Sequence, residues 1–193
     1  MGIENQKMYF NENYESWKEV SDEKGRIINK TINKLGISEG DTVLDVASGT
    51  GVLYPALRHL RLSNYVALDI SENMLKELKG LYPEAKTICD DFDKEVKLEA
   101  IFDYIIIFNS IPHFENLDIV FANAYRHLKI GGTFAIVHSK TRGGLKQHHK
   151  NIGYNLGRDA IPCNTALREL VEKNEFIDCI IDDEDFFYFS CRK

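Results

Sequence analysis

The chain has 193 residues, 44% of them hydrophobic and 28% charged, with a formal net charge of -6. This suits one soluble domain over residues 1–193, and no apolar run nears the length of a membrane span. An acidic chain without a basic stripe lacks the surface on which non-specific nucleic-acid affinity rests, so nucleic acid is not an expected partner despite the local cluster Lys140, Arg142, Lys146 and Lys150.

The opening "MGIENQKMYF" holds no signal-peptide core, and Gln6 stands where a myristoylation motif wants Ser or Thr. Phe10, Tyr14, Trp17 and Val20 fall at helical spacing. A second helix carries Ile27, Ile28, Ile32 and Leu35 on one side and stops at Gly36. From there strands and helices alternate. "TVLDVA" reads as a strand, "LYPALRHL" as a helix, "YVALDI" as a strand, and "SENMLKELKGL" as a helix with Ser71 as N-cap. "KTIC" and "DYIIIFN" are strands, "LDIVFANAYRHL" a helix, and "GGTFAIVHS" a turn and strand. The segment from Ser139 to Pro162 reads as a loop. "TALRELVEKN" is a helix, and "FIDCIID" and "FFYFSC" are strands around the acidic turn "DDED". Nearly continuous apolar strands alternating with helices mark a parallel sheet covered on both faces. The last two strands lie too close in sequence for a parallel crossover, so they form an antiparallel hairpin.

The stretch "VLDVASGTGVL" ends a buried strand on Asp45 and follows it with Ala47, Ser48, Gly49 and Gly51. In doubly wound sheets such a loop lies at the ligand-binding edge. A dinucleotide fingerprint needs a third small residue where Tyr54 stands, a Walker loop needs a lysine, and Asp45 would repel a pyrophosphate. A ligand with an ammonium and a carboxylate fits better: Asp45 attracts the ammonium and the loop N–H groups receive the carboxylate. Asp69 ends the second strand roughly 20 residues later, where an acid accepts ribose hydroxyls. "ICDDFD" after the third strand offers Asp90, with Asp91 as the alternative, to an adenine amino group. Amino acid, ribose and adenine together outline S-adenosylmethionine. Taken alone, Asp45 reads equally well as a loop cap, and Asp69 as a helix-entry acid beside Ser71.

On these residues the chain resembles the class I S-adenosylmethionine-dependent methyltransferases, in the small-molecule branch related to quinone-biosynthesis enzymes. "VLDVASGTGVL" matches the family's glycine loop, with Ala47 in the first glycine slot. "VALDISENML" matches the ribose-binding segment, "FDYIIIFNSIPHF" the strand leading to the substrate, and "AYRHLKIGGTFAIV" the turn and fifth strand. The resemblance implies a Rossmann-like α/β fold with seven strands in the order 3-2-1-4-5-7-6, the last antiparallel. It implies a helical lid over residues 1–36 and a core over 42–193. It also implies a cofactor contact set of Asp45, Ala47, Ser48, Gly49, Gly51, Asp69, Ile70, Met74, Asp90, Asp91, Phe92 and Asn109. The expected reaction is methylation of a small molecule. Methylation of tRNA or protein, and cofactor binding without catalysis, are the competing readings.

Four histidines bear on the acceptor. His113 follows the fourth strand, His138 ends the fifth, and His148 and His149 lie in the segment that closes the substrate pocket in this family. "SKTRGGLKQHHKNIGYNLGRDAIP" resembles a subgroup pattern that maps onto Arg142, His149, Asp159 and Pro162. His149 is the expected base and His113 the next candidate; the plain alternative is a set of surface histidines beside lysines. Consecutive acids in "DDED" read as solvated rather than metal-binding, and no metal is expected. Cys89, Cys163, Cys179 and Cys191 form no C-x-x-C pair, which points to a reducing, cytoplasmic compartment. A monomer or homodimer is expected.

Overall fold

The computed structural model describes residues 7, 8, 10–12 and 21–193. Of the N-terminal aromatic stripe only Phe10 lies among them; Tyr14, Trp17 and Val20 fall outside the described residues. Helix α1 (Asp22–Leu35) starts at Ser21, whose hydroxyl accepts from the Lys24 N–H, and ends at Gly36 in the left-handed region (φ 74°). The chain then alternates through β1 (Thr42–Val46), the short α2 (Tyr54–Leu57), β2 (Asn64–Asp69), α3 (Glu72–Leu81), β3 (Lys86–Cys89) and β4 (Phe102–Phe108). It continues through α4 (Leu117–His127), β5 (Leu128–His138), α5 (Arg142–Asn151), α6 (Asn164–Lys173), β6 (Ile177–Asp182) and β7 (Phe187–Arg192). The strands form one seven-stranded sheet in the order β3-β2-β1-β4-β5-β7-β6. Neighbours are parallel from β3 to β5, while β7 runs antiparallel to both β5 and β6. The doubly wound sheet with an antiparallel hairpin is as the sequence predicts.

Each face of the sheet has its own apolar layer. Phe121, Phe134 and Phe189 anchor one, meeting edge-on or tilted at centroid distances of 5.1–6.3 Å. Ile27, Ile28 and Ile32 of α1 join Leu57 and Leu78 in the other. The central strands β1, β4 and β5 are buried on both sides over runs such as Ile105–Phe108 and Phe134–Val137, which are therefore wholly apolar. The acidic turn is not simply solvated: Arg26 and Lys30 pair with Asp185, and Lys34 with Asp182, tying α1 to the terminal hairpin.

Two local readings change. "LYPALRHL" makes one α-turn and then a 3-10 turn (Arg58–Leu60), stopped by Arg61 in the left-handed region (φ 53°). The segment read as an acceptor loop contains helix α5. Thr141 caps it by accepting from the Gly144 N–H, and Leu145 is its single buried residue. Two glycines and one apolar side chain left no helical hydrophobic period to detect. Among the described residues, no helix is long and apolar enough to cross a membrane.

Candidate active site

Strand β1 delivers the chain into a loop that turns left-handed at Ala47 (φ 54°), Gly49 (φ 55°) and Gly51 (φ 87°). The two glycines serve different ends. A side chain on Gly49 would point into space, its nearest neighbour being Met74 Sδ at 4.0 Å, whereas one on Gly51 would strike Leu78 at 2.9 Å. Gly49 therefore keeps a cavity open, and Gly51 lets the loop seat on α3. Asp69, at the end of β2, fixes the arrangement: one carboxylate oxygen accepts from the Gly49 N–H and the other from the Ser71 N–H, both at 2.8 Å. Burial pushes its carboxyl up, and those N–H groups pull it back. A carboxylate has about four acceptor sites, so Asp69 keeps capacity for a ligand.

Around this loop, at the carboxyl ends of β1 to β4, lies a cavity of about 990 Å³ with its open mouth included. Ala47, Ser48, Gly49, Asp69, Ile70 and Met74 line it. So do Asp90, Asp91, Phe92, Asn109 and His113. Asn109 sits in the left-handed region (φ 58°), where Asn is tolerated. Its backbone N–H donates to Val137 O, and its side-chain oxygen accepts from the Ser139 N–H, so it latches β4 to β5. Asp91 is drawn to Lys94 at 3.1 Å, while Asp90 is exposed.

Two expected contacts are corrected. Gly51 is not on the cavity wall, for the packing reason above. Neither is Asp45: strand alternation turns it to the face opposite Leu44 and Val46, where it is 1% exposed and accepts from the Tyr65 hydroxyl at 2.8 Å. Burial pushes its carboxyl up to about 7, against the pull of the Tyr65 hydrogen bond. It supports the loop from beneath and makes a poor partner for an ammonium. The loop N–H groups of Ser48, Gly49 and Gly51 are likewise taken, by Leu68 O, Asp69 and Ser48 O. What remains is the Ser48 hydroxyl, buried on the cavity wall without a partner.

Residues outside the expected set complete the wall. Asp93 accepts from the Glu115 and Asn116 N–H groups, docking the start of α4 beside the cavity. Its signal was the acid spacing of "DDFD". Ser110 donates to Ala47 O and joins the β1 and β4 loops. Lys24 and Phe10 reach in from the N-terminal segment, which no local pattern could place. That segment is held by Asn11, which accepts from the Ser71 hydroxyl and bonds Asn73.

Of the four histidines, His113 lines this cavity and His149 a second one. His113, in a 3-10 turn after β4, meets the Phe10 ring edge-on at 4.9 Å. Burial pushes its imidazole down to about 4, with the His149 and Arg158 charges adding to the effect. His138 is buried at the end of β5, its Nδ1 accepting from the Lys140 N–H, and is also held near about 4 by burial. His149 does not line the first cavity. It lies on α5 and lines a neighbouring cavity with Arg142, Lys146, Lys150, Tyr154 and Arg158. Burial, then His148, lowers its imidazole from 6.5. His148 is exposed on the same helix. Arg142 grips Pro162 O at 2.6 Å and Asp183 at 3.4 Å, so the Arg142 and Pro162 of the subgroup pattern do meet. Arg158 joins the two cavities: its Nη2 donates to Pro112 O (2.9 Å) and Phe114 O (2.7 Å), and Phe114 lines the first.

Residues 44–136 match the family model described as a methyltransferase domain. Sterol 24-C-methyltransferase of Pneumocystis carinii is 34% identical over 106 residues, 52% of this chain and 28% of that protein. Sterol 24-C-methyltransferase of Eremothecium gossypii is 28% identical over 142 residues, 67% of this chain and 38% of that protein. The chain thus spans well under half the length of these relatives. Among solved structures, a complex of the Haloferax volcanii Trm112 methyltransferase activator with a methyltransferase superposes with a TM-score of 0.73 at 16% identity, over 95% of this chain and 96% of that one. Haemonchus contortus phosphoethanolamine N-methyltransferase 2, solved with S-adenosyl-L-methionine, gives 0.67 at 18% identity, over 87% of this chain and 52% of that one.

Proposed function

We propose that this chain, whose residues 44–136 match a methyltransferase domain and whose sheet has the class I strand order, transfers the methyl group of S-adenosylmethionine to a small-molecule acceptor. The observation that carries the reading is the first cavity. It joins a backbone-lined glycine loop, an acid at the end of β2 and an unpartnered buried hydroxyl, Ser48, in one wall. These residues fit the cofactor. Asp69 has acceptor capacity for ribose hydroxyls, and Asp90 for an adenine amino group. Met74 and Phe92 offer apolar surface, and Ser48 offers a donor to a carboxylate. Asn109 and Ala47 shape the wall between them.

The cofactor supplies an electrophilic methyl whose transfer discharges a sulfonium. The protein aligns the reactants and, where the nucleophile carries a proton, takes it up. His149 faces the second cavity, in which this reading places the acceptor, and burial lowers its imidazole from 6.5, which favours the neutral form that takes up a proton. His113 stands on the cofactor side as the next candidate. On this reading the N-terminal segment serves as the lid, supported by Phe10 against His113 and Asn11 latched to Ser71. The reading includes a cytoplasmic monomer or homodimer that needs neither metal nor nucleic acid.

The test is ligand-induced stabilisation. S-adenosylmethionine and S-adenosylhomocysteine at 100 times their dissociation constants should each add about 2.7 kcal/mol to the unfolding free energy, and NAD should add none. Stabilisation by NAD alone overturns the reading.

A further inference from the structure

We infer that the acceptor is an anion, a small molecule bearing a phosphate or carboxylate group, bound in the second cavity by Lys146, Lys150 and Arg158. This rests on the methyl-transfer reading above and gives it a substrate class. Helix α5 presents Arg142, Lys146, His149 and Lys150 to the cavity at a helical spacing, with Leu145 buried at the edge of that face. Arg158 enters from the following loop.

The charges on this wall are not equivalent. Arg142 is engaged by Asp183 and Pro162 O. Lys146 and Lys150 have no carboxylate partner among the described residues, and both are exposed. Arg158 gives its hydrogen bonds to backbone carbonyls, which leaves its positive charge uncompensated. Asp159 is the one acid in the lining. A chain of net charge -6 thus gathers an excess of positive charge in one concave place, where the field attracts anions.

Position supports the assignment. Arg158 bonds the carbonyls of Pro112 and Phe114, on either side of His113, so the cationic wall backs directly onto the cofactor cavity. The charge of His149 adds to the lowering of the His113 imidazole, so the two walls lie close. An anion held by the lysines would place its remainder toward that histidine-lined wall.

The full-length protein, saturated with S-adenosylhomocysteine, is titrated with pyrophosphate and, separately, with citrate, followed by calorimetry. The wild type should bind at least one of them, more weakly as salt rises. The double variant Lys146→Gln/Lys150→Gln should bind that probe about tenfold more weakly, because two charges within contact range of the anion are gone. Its affinity for S-adenosylhomocysteine should not change. The arm that binds identifies phosphate or carboxylate. Absence of binding in both arms overturns the inference. So does equal binding by the double variant with a lower melting temperature, which would mean that the lysines serve only the carbonyl end of α5. Binding of mixed tRNA in preference to both probes overturns it in favour of a nucleic-acid surface. Failure of S-adenosylhomocysteine to bind while pyrophosphate still does would break the methyl-transfer reading instead, leaving an anion site of another purpose.

Discussion

The first cavity is made of backbone and short side chains: three left-handed residues in a five-residue loop, and a carboxylate whose two oxygens pin Gly49 and Ser71. The second is made of long cationic side chains on one helix and an exposed loop. Geometry in the first is set before a ligand arrives, because its hydrogen bonds close within the protein. Geometry in the second depends on lysines with many rotamers, so its selectivity rests on charge and can be changed one side chain at a time. On the proposed reading, one wall recognises a fixed ligand shape and the other a charge class.

The largest effect that sharpens this contrast is expected at His149. Once an acceptor is in hand, His149→Gln should lower turnover about 10²–10⁴-fold with cofactor affinity unchanged, the range for a lost general base. The wild-type rate should fall on acidification below 6.5, since the imidazole is lowered from that value. Full turnover in the variant would hand the role to His113.

Two buried groups behind the cavities, Asp45 and His138, contribute pH dependence of opposite sign. Asp45, raised from 3.8 to about 7, contributes stability that is present below 3.8 and lost as pH rises toward 7. His138, lowered from 6.5 to about 4, contributes stability that is present above 6.5 and lost as pH falls toward 4. In the wild type the two slopes oppose each other across most of that window. Asp45→Asn removes one, so stability of the variant should fall on acidification more steeply than that of the wild type, by about 1.4 kcal/mol per pH unit. Urea melts across that range measure it, and parallel profiles would show that Asp45 does not titrate as described.

Asp69→Ala tests whether the first cavity's acid serves a ligand as well as the loop. Affinity for S-adenosylhomocysteine should drop by about 1.5–3 kcal/mol, and stability should also fall because the Gly49 and Ser71 N–H groups lose their acceptor. Unchanged affinity by calorimetry in a folded variant would leave Asp69 a structural clamp only. The smallest effect is at Ala47, whose φ of 54° glycine adopts without strain. Ala47→Gly should raise stability by up to about 1 kcal/mol, with cofactor affinity nearly unchanged; a lower melting temperature would show that the methyl packs favourably.

Local sequence was informative where the physics is local. Ser71 before an apolar helical run announced a cap, and its hydroxyl does accept from Met74 N. Continuous apolar strands required a sheet buried on both faces, and the short spacing of β6 and β7 required a hairpin. The glycine loop and Asp69 were legible because close backbone approach and left-handed turns restrict residue type. Asp45 misled, since a charge at the end of a strand does not say which face it takes or that a tyrosine from the next strand will bond it. Helix α5 was hidden by Gly143, Gly144 and a single buried leucine.

The sequence by itself determined the sheet and the place of the glycine loop, because these follow from short-range periodicity and backbone restriction, while the strand order came from the motif resemblance. Tertiary structure alone decided the rest. It turned Asp45 away from the cavity onto Tyr65, partnered off Arg142 while leaving Lys146 and Lys150 without a carboxylate, and set Arg158 between the two cavities. Those outcomes depend on which distant residue occupies the facing position. Residues 45 and 65 are 20 apart in the chain, and 158 lies 46 from 112; no local pattern encodes a partner at that range.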